Sequence, residues 1–242
     1  MSAAIWGILL GVPAGWLVNV LADTIPPRLS LSVTWSWPLQ RVGLLSAVPL
    51  SADAALTLPT RRRYVLVWLM ALFLGGFAYA RLGVTPQALL VAAEAWFFLA
   101  VAVIDLEHRL VLNRMILPAA PVMFVTNLLL REVTITSLLW GGAAGFGFFL
   151  LLAILAPGGM GMGDVKLAGL IGLTIGLSNV IVALFIAIFV GGLAGAVILI
   201  QNRIQRRPLR GQTMAYAPYL VMGVWVVLFD GIGLLHNYLE RL

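Results

Sequence analysis

Long uncharged apolar runs alternate with short polar segments along the whole chain. A helix needs about 20 consecutive apolar residues to cross a hydrocarbon core ~30 Å thick. Five runs meet or approach this length: Ala4–Ala22, Tyr64–Ala80, Pro86–Ile104, Ile135–Ala156 and Pro218–Leu235. The pattern therefore predicts an all-α polytopic membrane protein.

Two further runs are less regular. Asn113–Leu130 carries Pro118 and Pro121, so we expect it to begin irregularly and then to span. Leu167–Ile200 is uncharged throughout, too long for one ordinary helix and too short for two full spans. Gly176–Asn179 supplies turn residues in its middle and splits it into a short segment of about a dozen residues and a full helix. This gives about eight segments, with the short one sixth.

The distribution of basic residues predicts the orientation. Eight segments place twelve of the 15 Lys and Arg residues on one side, against three on the other. Because cytoplasmic loops carry the excess of Lys and Arg, we expect the N-terminus outside. The loops expected in the cytoplasm are 23–63, 105–113, 157–166 and 201–217.

The same topology predicts three regions. Residues 1–22 form a first transmembrane anchor, 23–63 a cytoplasmic loop or small N-terminal region, and 64–242 the main membrane domain. The expected location is the inner (cytoplasmic) membrane, with several passes and with the lipid bilayer as a partner.

Composition excludes several classes of function. The 242 residues are 62% hydrophobic and 10% charged, which excludes a soluble globular domain. With no cysteine and two histidines, disulfides, thiolate zinc sites and cysteine nucleophiles are excluded, and no metal site is expected. The formal net charge is +6. We interpret the excess of basic residues as setting the orientation in the bilayer and contacting anionic lipid, so nucleic acid is not an expected partner.

Acidic residues in or beside apolar segments are functional candidates, because the bilayer makes them costly. Four qualify: Glu94, Asp105, Asp164 and Asp230. Asp105 ends the third predicted span and Asp164 opens the sixth, so both lie at the same membrane face. Two carboxylates that share one proton can act as base and acid around a water molecule. Glu94 shares a helix face with Asp105 but lies ~16 Å deeper, where it either lines a polar cavity or makes an interhelical hydrogen bond.

A glycine-rich segment leads into Asp164. Four of the six residues from Gly158 to Gly163 are glycine, which allows another backbone to pass close to the acid. The plainer interpretation is an interhelical loop in which Asp164 caps the next helix.

Two motifs bearing these aspartates resemble those of the type IV prepilin peptidase family of membrane aspartic proteases. Gly159–Leu167 is similar to the family's Gly-x-Gly-Asp-x-Lys signature, and Ile104–Asn113 to the segment with its first aspartate. Gly11–Val20 resembles its N-terminal pattern more weakly. The resemblance implies that Asp105 and Asp164 are the catalytic pair and that Gly161, Gly163 and Lys166 shape the site.

The implied activity is endoproteolytic removal of the short leader of prepilin-like substrates at the cytoplasmic face, without a cofactor. Many relatives carry paired Cys-x-x-Cys motifs that this cysteine-free chain lacks. Relatives also methylate the new N-terminus using S-adenosylmethionine, a second activity that the divergent 23–63 loop leaves open. The alternative is a small proton- or cation-coupled transporter using Asp105 and Asp164. The sequence leaves the oligomeric state unknown.

Overall fold

A computed structural model describes residues 2–25, 58–131, 133–155, 160–204 and 215–230. Within these ranges the chain forms helices and connecting turns, without strands. The helices are α1 (Ala3–Thr24), α2 (Leu58–Leu82), α3 (Pro86–His108), α4 (Asn113–Leu130), α5 (Ile135–Leu155), α6 (Met162–Ile175), α7 (Leu177–Ile204) and α8 (Ala217–Asp230).

The all-helical membrane fold is confirmed. Among the described residues, six helices are long and apolar enough to cross a bilayer: α1, α2 over Arg62–Leu82, α3, α4, α5, and α7 over Leu177–Val197. The sixth helix, α6, has 14 residues and is the predicted short segment. The apolar part of α8 is described over Ala217–Phe229, and the rest of the predicted eighth span lies outside the described residues. Orientation stays a prediction, and most of the 23–63 loop is not described.

The expectation of an irregular start to the fourth span is wrong. Helix α4 begins at Asn113 and continues through Pro118 and Pro121 to Leu130. Each proline removes one backbone donor but leaves the remaining helical hydrogen bonds in place. In a bilayer a helix remains the favoured state, because its other peptide groups have no water to bond.

The predicted break between the sixth and seventh segments is confirmed, and it is tighter than a four-residue turn. Helix α6 ends at Ile175, and Gly176 has φ +80°, a left-handed conformation that glycine adopts readily. The N–H of Leu177 then donates to Ser137 Oγ at 3.1 Å. One glycine therefore separates α6 from α7.

The chain divides into two compact units, Met1–Ala100 and Val101–Leu242. In the first, α1 packs closely on α2 through glycine: a Cβ at Gly11 would lie 2.8 Å from the Ala71 carbonyl oxygen. Beyond this contact, Asp23 forms a 2.7 Å ion pair with Arg63 and accepts a hydrogen bond from the Tyr64 hydroxyl. Small residues thus let the two helices approach as closely as is common between membrane helices.

In the second unit, α6 packs against α4, α5, α7 and α8. Its contact with α5 is made backbone to backbone: Gly141 and Gly145 of α5 face Gly172 and Ala168 of α6, with no room for a Cβ on either glycine of α5. This close packing fixes the short helix, and with it Asp164, within the unit.

Candidate active site

Asp105 lies in the last turn of α3 and is buried, with 4% of its surface exposed. Its Oδ2 accepts a 3.0 Å hydrogen bond from the backbone N–H of Ala217, 112 positions later in the sequence. The charge of Arg109 also acts on the carboxylate. The fold therefore supplies a buried acid with a fixed backbone donor.

The chain turns sharply after Asp105. Helix α3 ends at His108, and Arg109 has φ +53°, a left-handed conformation frequent just beyond a helix C-terminus. Its N–H donates to the Asp105 carbonyl oxygen at 2.7 Å. This turn brings Val111 against the start of α6.

Asp164 lies in the first turn of α6, three residues after the N-cap Gly161, and is 7% exposed. Its Oδ2 accepts a 3.3 Å hydrogen bond from the Gly161 N–H. Asp164 is therefore not the N-cap residue that the plainer interpretation expected. Its buried side chain instead accepts a hydrogen bond from the backbone of the N-cap residue, Gly161. A Cβ at Gly163 would lie 2.7 Å from Val111 Cβ, so glycine is what lets α6 begin against the 109–112 turn.

The structure brings the two aspartates together. The charge of Asp105 acts on the buried Asp164, and the charge of Asp164 acts on Tyr216. Two buried carboxylates so close cannot both ionise cheaply, so one proton shared between them is the favoured state. Such a pair can take a proton from water and donate one to a carbonyl oxygen.

The remaining predicted residues occupy different places. Lys166 follows Asp164 by two residues in α6. Its Nζ donates a 3.0 Å hydrogen bond to Asn113 Oδ1, and this hydrogen bond is exposed. Glu94 is 1% exposed and belongs to the unit Met1–Ala100, and its role in a polar cavity stays a prediction. The side chain of Asp230 lies outside what the structure describes.

Sequence reasoning missed the corner formed by Tyr216 and Ala217. Tyr216 packs its ring on Phe149, with centroids 5.8 Å apart, and its hydroxyl donates to the Ala187 carbonyl oxygen at 3.3 Å. Burial, together with the charge of Asp164, raises the pKa of Tyr216 to about 12, so the phenol keeps its proton. The one available signal was a Tyr-Ala-Pro sequence at the start of an apolar run, which alone indicates a helix start.

Among the described residues, no three His, Asp or Glu side chains lie close enough to hold a metal ion.

Residues 92–196 match the family described as "Type IV leader peptidase family". The matched range contains both aspartates and the glycine-rich segment, and it confirms the resemblance stated from the motifs. No solved structure matches significantly.

Curated relatives with similar sequences carry the name "Prepilin leader peptidase/N-methyltransferase". The protein of Stutzerimonas stutzeri is 27% identical over 74% of this chain and 62% of its own length. The protein of Bacillus subtilis is 29% identical over 58% of this chain and 55% of its own length. The protein of Pseudomonas aeruginosa is 26% identical over 91% of this chain and 76% of its own length. The chain thus spans less than two thirds of the first two of these relatives.

Proposed function

We propose that this chain is a membrane aspartic endopeptidase that removes the short leader of type IV prepilin-like proteins. The observation that carries the proposal is the buried pair of Asp105 and Asp164, whose charges interact within the segment that matches the leader peptidase family. The same match favours a peptidase over the transporter considered from the sequence.

The proposed reaction uses one ionised and one protonated carboxyl group. The ionised carboxylate takes a proton from water as the water oxygen bonds to the scissile carbonyl carbon, and the other acid gives its proton to the carbonyl oxygen. The resulting gem-diol returns a hydroxyl proton to the second acid as the C–N bond breaks. The first acid then protonates the leaving nitrogen, which restores the starting state.

Three further residues shape the proposed site. Gly161 offers its N–H to Asp164, and Gly163 allows the 109–112 turn to lie against the helix start. Lys166 ties the same helix start to Asn113 at the beginning of α4. Together they hold the short helix, and its acid, in one position relative to α3.

The proposed setting is the inner membrane, with the pair at the cytoplasmic face and prepilin-like proteins as substrates. The curated relatives are also named as N-methyltransferases. S-adenosylmethionine would enter only as the methyl donor of that second reaction, so the proteolysis proposed here needs no cofactor.

The test is co-expression with a type IV prepilin, scoring loss of the leader and the mass of the new N-terminus. Asp105→Asn and Asp164→Asn should each abolish cleavage, and the double variant should be no worse than either single variant. Glu107→Gln is the matched control, since Glu107 is an exposed acid two residues from Asp105.

The control should cleave normally, and all four variants should insert in the membrane to the wild-type level. Cleavage by either single variant at more than a few per cent of the wild-type rate would contradict the proposed pair. A mass increase of one methyl group on the new N-terminus would show that the second activity is retained.

A further inference from the structure

We propose that the corner Tyr216–Ala217 is a positioning element that keeps Asp105 as the ionised member of the pair and leaves the proton on Asp164. The proposal rests on the proposed function and adds to it residues from outside both catalytic motifs and a role for each acid.

The first support is that the backbone N–H of Ala217 donates its hydrogen bond to Asp105. Ala217 is the first residue of α8, and the Tyr216 carbonyl accepts the N–H groups of Tyr219 and Leu220. The N–H of a first helical residue has no acceptor within its own helix. Here it donates to Asp105 Oδ2 at 3.0 Å in a buried environment.

The second support is an asymmetry between the acids. Asp105 accepts the shorter hydrogen bond and also faces the positive charge of Arg109, both of which favour its ionised form. Asp164 accepts a longer bond, 3.3 Å, from Gly161, and faces the Asp105 carboxylate. Among the residues that the structure describes, the charged or titratable groups in electrostatic contact with the pair are Arg109, on the turn after α3, and Tyr216, which keeps its proton.

The third support is the close packing of the Tyr216 ring against two helices. A Cβ at Gly191 of α7 would lie 2.9 Å from Tyr216 Cε2, so the ring lies directly on the backbone of that helix. The hydroxyl bonds to Ala187, one turn earlier, and the ring packs on Phe149 of α5. Two helices therefore hold the residue that immediately precedes the donor.

It follows that Asp105 takes the proton from water, while Asp164 gives its proton to the scissile carbonyl oxygen. Removing the Ala217 donor should make Asp105 harder to ionise. The acid limb of the pH profile of kcat/KM, which reports the base, should then move to higher pH.

The deciding comparison is Ala217→Pro against Ala217→Gly, assayed on a purified prepilin in detergent. Proline removes the N–H at a position where helices tolerate it, and glycine keeps the N–H. For the proline variant we expect kcat to fall about tenfold or more, KM to stay within about twofold, and the acid limb to rise by about one pH unit. The glycine variant should match wild type in all three.

A second pair of variants tests the same inference if the Ala217→Pro variant does not fold. Gly191→Ala places a methyl group against the Tyr216 ring, whereas Gly192→Ala places one in open space. Gly191→Ala should lower kcat and move the acid limb in the same direction, and Gly192→Ala should do neither. Tyr216→Phe, which keeps the ring but loses the bond to Ala187, should give a smaller shift of the same sign.

The inference is overturned if folded Ala217→Pro or Gly191→Ala has the wild-type acid limb, even with reduced activity, because a purely structural role lowers activity without moving it. This outcome leaves the proposed function standing as long as Asp105→Asn and Asp164→Asn remain inactive. Activity of those two variants would instead remove the proposed function itself.

Discussion

Gly163 lies against Val111 so closely that a side chain at 163 would overlap it: a Cβ there would be 2.7 Å from Val111 Cβ and 3.2 Å from the Val111 carbonyl oxygen. Val111 belongs to the turn after α3, which carries Asp105, and Gly163 immediately precedes Asp164. This contact therefore sets how closely the two acid-bearing segments approach.

Gly163→Ala should lower kcat/KM by about tenfold to a hundredfold, because even a small displacement of α6 misplaces the acid beside its partner. Gly147→Ala is the matched control: Gly147 also lies in a helix, and its added Cβ would meet nothing within 4 Å. The measurement is the rate of prepilin cleavage at equal amounts of membrane-inserted protein. Adding Val111→Gly to Gly163→Ala should recover part of the loss, and a Gly163→Ala variant with wild-type activity would show that the contact does not position Asp164.

Lys166 and Asn113 should act as one unit. Their 3.0 Å hydrogen bond is exposed, so we expect Lys166→Met and Asn113→Ala each to lower cleavage by less than about tenfold. The double variant should be no worse than the stronger single variant, because both remove the same contact. Fully additive losses in this double-mutant cycle would mean that Lys166 acts on the substrate or the acids instead.

The long spans could be predicted because apolar length alone decides whether a helix crosses a bilayer. The break at Gly176 could also be predicted, since a glycine in an over-long apolar run indicates a turn. The regular course of α4 through Pro118 and Pro121 could not, because proline statistics from water understate how strongly a bilayer favours helix.

The two aspartates could be proposed as site residues from the sequence because each stands in a motif with chemical meaning. The corner at Tyr216 and Ala217 carried no such signal: a backbone N–H is the same in every residue but proline, and only the fold reveals what it bonds to. The contact of Gly163 with Val111 was equally hidden, since a glycine-rich segment does not indicate which chain segment fills the space.

Gly172→Ala should destabilise the second unit. A Cβ at Gly172 would overlap the carbonyl group of Gly141 across the α5–α6 contact, and forcing apart tightly packed helices costs about 1–3 kcal/mol. We expect a lower Tm in detergent, with Gly147→Ala again unchanged or slightly higher. An unchanged Tm for Gly172→Ala would show that the two helices do not pack backbone to backbone.

Cleavage should survive strong metal chelators. The proposed water activation uses two carboxylates, and the described residues contain no group of three His, Asp or Glu side chains that could hold a metal. The check is the rate of leader removal by purified enzyme before and after dialysis against a chelator. Loss of activity that is restored by zinc or another divalent cation would contradict the carboxylate mechanism.

The length of α6 bears on where a substrate is cut relative to the membrane. Helix α6 has 14 residues, so at ~1.5 Å per residue it reaches about 21 Å and is shorter than the hydrocarbon core. Because Asp164 lies in the first turn of this short helix and Asp105 in the last turn of α3, we expect the pair to lie at one membrane border. The distribution of basic residues predicts that this border is the cytoplasmic one.

A prepilin should therefore be cut where its cytoplasmic leader meets its apolar helix. Moving the cut site several residues into that helix should stop processing, and so should moving it to the external domain, while a conservative change within the leader at equal distance from the helix should be tolerated. Each substrate is scored by leader loss in cells that contain the wild-type chain or, as the background control, the Asp164→Asn variant. Efficient cleavage in an external segment by the wild-type chain alone would contradict the cytoplasmic placement of Asp105 and Asp164, since a peptide bond on that side would have to cross the bilayer to reach them.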